Sequence, residues 1–255
     1  MPSQSPPQTI DEILEQLDQI IFTCRQESSR LGFFATLYRN VTIKVKEGIA
    51  AGAFDDGPRM ERLDVAFANR YLAALESFRR DDPLSVCWRV AFQTAGNYWP
   101  LILQHLLIGM NAHINFDLGI AAATIAPGPE LPALRGDFDR INNILGGMIL
   151  KVRSNVEELS PWIRFLDRLA PTTEDRIINF SLNKARASAW LVATMVSTTP
   201  PGKLPVKLSV LDDGVAMLGS LVGSPKGWLI NLGLRGIRLR ESNDVPHIID
   251  VLSQM

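Results

Sequence analysis

Apolar residues recur at intervals of three and four along almost the whole chain, and runs of alternating β-branched residues bounded by turn dipeptides hardly occur. The pattern predicts an all-α protein. Ile10, Ile13, Leu14, Leu17, Ile20 and Ile21 form one stripe, which predicts a helix to about Cys24 with Thr9 or Asp11 as its cap. A second helix is expected over 31–51. After the break "FDDGPR", a third over 60–79 carries Leu63, Phe67, Tyr71, Ala74 and Phe78 on its inner face. A short helix over 84–94 leads through "AGNYWP" into the most apolar tract, 99–126. We read that tract as the buried central helix of a single multi-helix bundle. Further helices are predicted over 137–158, from Pro161 as a first helical residue, and over 174–196 with Thr173 as cap. "STTPPGKLP" is the clearest linker and divides 1–199, the main helical bundle, from 200–255. The latter's helices near 206–221, 228–240 and 246–253 are too few for an independent core, so they are expected to pack back on the bundle.

The central tract is long enough to span a bilayer, yet it carries Gln104, His105, Asn111, His113, Asn115 and Asp117. Such groups oppose a lipid-facing helix, so no transmembrane span is expected. On a helix advancing about 100° per residue, His105, Gly109, His113 and Asp117 share one face. Gln104, Asn111 and Asn115 cluster on another, about 160° round from His113. The stretch "MNAHINFDLG" therefore holds two polar sites.

His113 and Asp117 form an HxxxD pair, in which the carboxylate either fixes the imidazole tautomer or joins it as a metal ligand. The competing reading is a buried hydrogen-bonded pair that orients neighbouring helices. Asn111 and Asn115 are read either as substrate-binding or as amides satisfying interhelical backbone groups. His105 lies about 12 Å along the axis from His113 and cannot ligate the same ion without a bend. His247 sits at a helix start, a capping position.

Other segments offer partners. "GDFDRINNILGG" places Asp137, Asp139, Asn142 and Asn143 at a helix start, with Gly146 and Gly147 allowing close approach. In "SLNKARASAW", Arg186 is a candidate catalytic residue that would seek Asp117 or a substrate anion, with Trp190 beside it as a candidate substrate-binding residue; the competing reading is a snorkelling surface arginine beside a core tryptophan. Tyr38, Tyr71 and Tyr98 could each supply a phenol to a cavity. "GWLINLGLRGIRLR" combines Trp228 and leucines with Arg235, Arg238 and Arg240, which raises peripheral contact with an anionic membrane; its charges do not gather on one helical face, and ordinary packing is the favoured reading.

Composition narrows the classes. Lys plus Arg total 26 against 27 for Asp plus Glu, so no basic excess points to nucleic acid. The two cysteines, Cys24 and Cys87, lie far apart and suit neither a disulfide framework nor a zinc knuckle. The amino terminus lacks the basic and apolar regions of an export signal, and a cytoplasmic location is expected. No GxGxxG after a strand, GxxxxGKS/T, GxSxG or HExxH occurs. With three scattered histidines, multinuclear sites are disfavoured, while a single metal ion or haem on His113 stays open.

"GMNAHINFDL", with "FANRYLAALESFR" and "SLNKARASAW", resembles an uncharacterised helical family, domain of unknown function 5995, from about Gly32 to Thr198. The resemblance implies an all-helical fold and points to His113, Asn115 and Asp117, but brings no activity. From the residues themselves, the first expectation is an enzyme acting on a hydrophobic small molecule, fatty-acyl or isoprenoid-like. Its chemistry would be acid–base: isomerisation, cyclisation, dehydration or hydrolysis. The alternatives are a mononuclear metal- or haem-dependent enzyme using His113, and a non-catalytic ligand-binding or interaction protein with a structural polar core.

Overall fold

A computed structural model describes residues 5–160 and 182–254. The expected starts at Pro161 and Thr173, and the side chains of Asn142, Asn143, Gly146 and Gly147, lie outside the described residues. The described residues contain helices and no strand. Helix α1 (Ile10–Gln26) is capped by Thr9, whose side chain accepts from the Glu12 N–H, as its sequence predicts. It packs on α2 (Leu31–Ala50), and α3 (Gly57–Arg79) follows, capped by Asp56. Helix α3 starts earlier than the expected 60 because Pro58 occupies the first turn, where its missing N–H costs no bond.

Helix α4 (Val86–Ala95) leads into the central helix. That helix begins at Ile102 rather than 99: Leu101 is extended, and the Gln104 side chain turns back to accept its N–H. It runs as α5 (Ile102–Ala112), a π-helical turn (His113–Leu118) and α6 (Gly119–Ile125). Its 24 residues form one apolar helix, and 78% of its most apolar window is buried inside the protein, as expected of a core helix.

Around it stand α2, α3 and α4 on one side, α8 (Leu182–Thr198) against the π turn and α6, and α9 (Leu204–Gly223) against α4 and α5. Close approach of α8 requires Gly119, where a Cβ would strike the Ala189 carbonyl. Helix α7 (Leu131–Leu159) begins at Leu131 rather than at the expected Asp137, since Pro132 suits a helix start. Asp137 therefore sits inside the helix and does not begin it. Its carboxylate accepts the backbone N–H groups of Asp55 and Asp56 and pairs with Arg59 and Arg140, fixing the loop before α3.

The carboxy-terminal helices are α9, α10 (Trp228–Arg238) and α11 (Val245–Leu252). Asn111 and Gln104 donate to carbonyls of α9, while Asn40 and Asn155 donate to the Leu252 and Val251 carbonyls of α11. These polar clasps join α9 and α11 to the helices of 1–199.

Candidate functional site

The π turn comprises HINFDL itself. A π turn admits an extra residue into a helix, and such turns frequently occur at functional sites. His113 and Asp117 both project into the space between α2, α3 and α4, where they are 2% and 1% exposed. His113 Nδ1 stands 3.4 Å from Asp117 Oδ2. Two stronger contacts complete Asp117: Arg70 Nε donates to Oδ1 and Trp88 Nε1 to Oδ2, each at 2.7 Å. Arg70 is one-third exposed and its guanidinium lies 5.6 Å from the Phe116 ring, so the buried carboxylate reaches the surface through its ion pair.

Aromatic rings wall the imidazole. Phe67 stacks on it with ring centroids 3.5 Å apart, and Tyr38 meets it edge-on at 4.5 Å. Phe34, Trp88 and Tyr71 complete the box at 5.7, 5.9 and 6.1 Å. Such surroundings disfavour charge: burial pushes the His113 pKa down, against the opposing pull of Asp117, so the ring is neutral at pH 7. A neutral ring that turns Nδ1 towards a carboxylate keeps its proton there and leaves a lone pair on Nε2.

Three polar atoms in this region have no hydrogen-bond partner: His113 Nε2, the Tyr38 hydroxyl and Asp64 Oδ2. Buried polar atoms are normally paired, so each such group calls for an explanation. Asp64 stands one turn before Phe67 on the buried side of α3, and burial raises its carboxyl pKa to about 7. The region thus holds a carboxyl inclined to keep its proton and an imidazole inclined to stay without one.

The sequence-derived candidates divide. Tyr38 and Tyr71 join His113 and Asp117. Arg186 is buried, but its guanidinium donates to the Phe138 carbonyl and lies 4.4 Å from the Phe138 ring. Asp117 takes Arg70 as its arginine instead, because α3 and not α8 presents a cation to that side of the π turn.

Trp190 stacks edge-on with Phe138 and faces Arg135 at 4.7 Å. With Leu131 and Thr194 it lines a separate open groove of about 540 Å³. Asn111 and Asn115 lie on the other face: Asn115 donates to Asn111, and Asn111 donates to the Val215 carbonyl. They act as an interhelical clasp. His105 packs edge-on against Phe33, and Tyr98 is exposed. Asp244, not His247, caps α11 by accepting the His247 N–H. No three His, Cys, Asp or Glu side chains converge as a metal site among the described residues.

Sequence reasoning left Arg70, Trp88 and Asp64 out of the site and placed Phe67 only on the inner face of its helix. A signal existed for two of them. Asp64, Phe67 and Tyr71 follow the i, i+3, i+7 spacing of one helix face, which puts a carboxyl among core aromatics. Trp88 joins α4 to the site through an indole N–H that seeks an acceptor when buried.

The fold and site define an all-helical protein built around a polar π turn. Its family model, described as a family of unknown function (DUF5995), matches residues 10–225, and the chain belongs to that family. The match is wider than the resemblance of the quoted motifs, taking in α1 and α9 and ending just before α10. No curated protein and no solved structure matches the chain.

Proposed function

We propose that the protein is an enzyme that moves a proton on a hydrophobic small molecule, fatty-acyl or isoprenoid-like. The observation that carries this reading is His113 Nε2, a buried lone pair without a partner on a ring whose Nδ1 faces a fixed carboxylate. In that arrangement His113 is the base, Asp117 holds its tautomer, and Arg70 and Trp88 hold Asp117. Asp64, with its raised pKa, is the acid that returns a proton, and the Tyr38 hydroxyl polarises an oxygen. The aromatic walls select an apolar substrate. Half-buried Phe67, stacked on the imidazole, is the side chain whose rotation admits it. Proton transfer is favoured over a metal on His113 and Asp117 because Arg70 and Trp88 already occupy both carboxylate oxygens.

The test is incubation of wild type and His113→Gln with a panel of fatty-acyl and isoprenoid compounds, followed by mass spectrometry. Wild type converts a member of the panel; His113→Gln, with unchanged helical circular dichroism, loses at least about a hundredfold of that rate. No conversion by wild type, or conversion that survives the substitution, overturns the reading. The close aromatic packing favours a second reading, a non-catalytic protein in which the polar cluster sets helix register. Under it, His113→Gln changes stability alone.

A further inference from the structure

We infer that α10, with the Tyr98–Trp99 turn beside it, is a peripheral membrane-binding surface that seats on an anionic lipid bilayer. Helix α10 holds to the protein through Leu234 and Ile237, which pack on Leu101. Its other side is also apolar, yet faces outward: Trp228 is 74% exposed, Leu229 64%, Leu232 62% and Leu239, just past its end, 63%. Trp228, Leu232, Arg235 and Leu239 follow a spacing of four, three and four, forming one stripe about 16 Å long. Trp99, 47% exposed, extends the patch, with the Arg235 guanidinium 5.0 Å from its ring.

Charge selects the occupant. Residues 224–240 contain Lys226, Arg235, Arg238 and Arg240 and no Asp or Glu. Arg238 is buried beside Glu241, so the exposed charge of this face is that of Lys226 and Arg235. Aliphatic side chains flanked by tryptophan and cations suit the boundary between acyl chains and phosphates, where a helix lies flat with its apolar face inserted. A second copy fits worse: a symmetric pairing of this stripe buries two Arg235 guanidinium groups, with no carboxylate in 224–240 to offset them. The inference stands apart from the proposed chemistry at His113, since it uses none of those residues.

The test is flotation of the full chain with phosphatidylcholine vesicles and with vesicles in which about a third of the lipid is phosphatidylserine. Each Lys or Arg near an anionic surface contributes enough for the wild type to bind the anionic vesicles at least about tenfold more tightly, an advantage that falls in 0.5 M salt as roughly expected of screened charges. Trp228→Ser with Leu232→Ser, both at exposed positions, lowers binding to anionic vesicles about tenfold, while thermal melting stays as in wild type. Arg235→Glu removes the lipid preference. Absence of binding, equal binding to both vesicles, or full binding by the double variant overturns the inference. So does a wild-type dimer in light scattering that Leu232→Ser dissolves while vesicle binding is nil, which assigns the face to a second copy.

Discussion

The two polar faces of the central helix differ in what they leave unpaired. On one, Gln104 donates to the Val222 carbonyl, Asn111 to the Val215 carbonyl and Asn115 to Asn111, so these amides tie α5 and the π turn to α9. On the other, Asp117 is fully engaged, while His113 Nε2, the Tyr38 hydroxyl and Asp64 Oδ2 have no partner. Both faces are buried and both are polar. Burial of polar residues therefore does not by itself mark a site; what distinguishes the second face is hydrogen-bonding capacity left over after the helices have packed.

Three measurements test that distinction. The largest effect is expected from Asp117→Ala, which strands the buried Trp88 indole and the His113 ring and leaves Arg70 without its counter-ion. Urea unfolding should show a loss of about 3–5 kcal/mol. A loss below that of the asparagine variant described next would break the picture of Asp117 as the anchor of its face. Asn111→Ala removes a donor to the Val215 carbonyl and the acceptor for Asn115. A loss of about 1–3 kcal/mol is expected, with no effect on any turnover that depends on His113.

The third measurement is a pH dependence. Asp64 has its folded-state pKa raised to about 7 from 3.8, so between those values the folded protein holds a proton that the unfolded chain has released. This term lowers wild-type stability as pH rises through that window, and Asp64→Asn lacks it. The variant should gain on wild type by up to about 4 kcal/mol between pH 4 and pH 8. The histidines act in the opposite direction: burial lowers His113, and lowers His105 to about 3, so their contribution is full above 6.5 and is lost as pH falls. Being present in both proteins, they cancel in the difference. A flat difference would remove Asp64 from the pair of opposed acid and base.

Helical periodicity made the fold readable because nearly every element follows one apolar stripe, and α1 and its Thr9 cap illustrate this. The separation of His113 and Asp117 from Asn111 and Asn115 was readable for the same reason, since it depends on angles within one helix. The rest of the site depends on which helix lies opposite, and periodicity does not supply that. Arg186 and Arg70 are both arginines beside aromatic residues in amphipathic helices. Only the packing of α3 against the π turn gives Asp117 to Arg70, and only Phe138 on α7 claims Arg186. Asp137 looked like a helix start and serves instead as an interior staple, because its loop partners at 55 and 56 are distant in sequence.

The π turn also sets the angular phase of everything after it. An α-helix advances about 100° per residue, so deleting one residue from 113–118 and letting the segment relax to α-helix would swing α6 through roughly that angle relative to α5. Gly119 would turn away from the Ala189 carbonyl and a neighbouring side chain would be driven into α8. The extra residue works as a phase shifter in the buried central helix. It lets one rod present amides to α9 at one end and a flat glycine seat to α8 at the other, with the imidazole held between them.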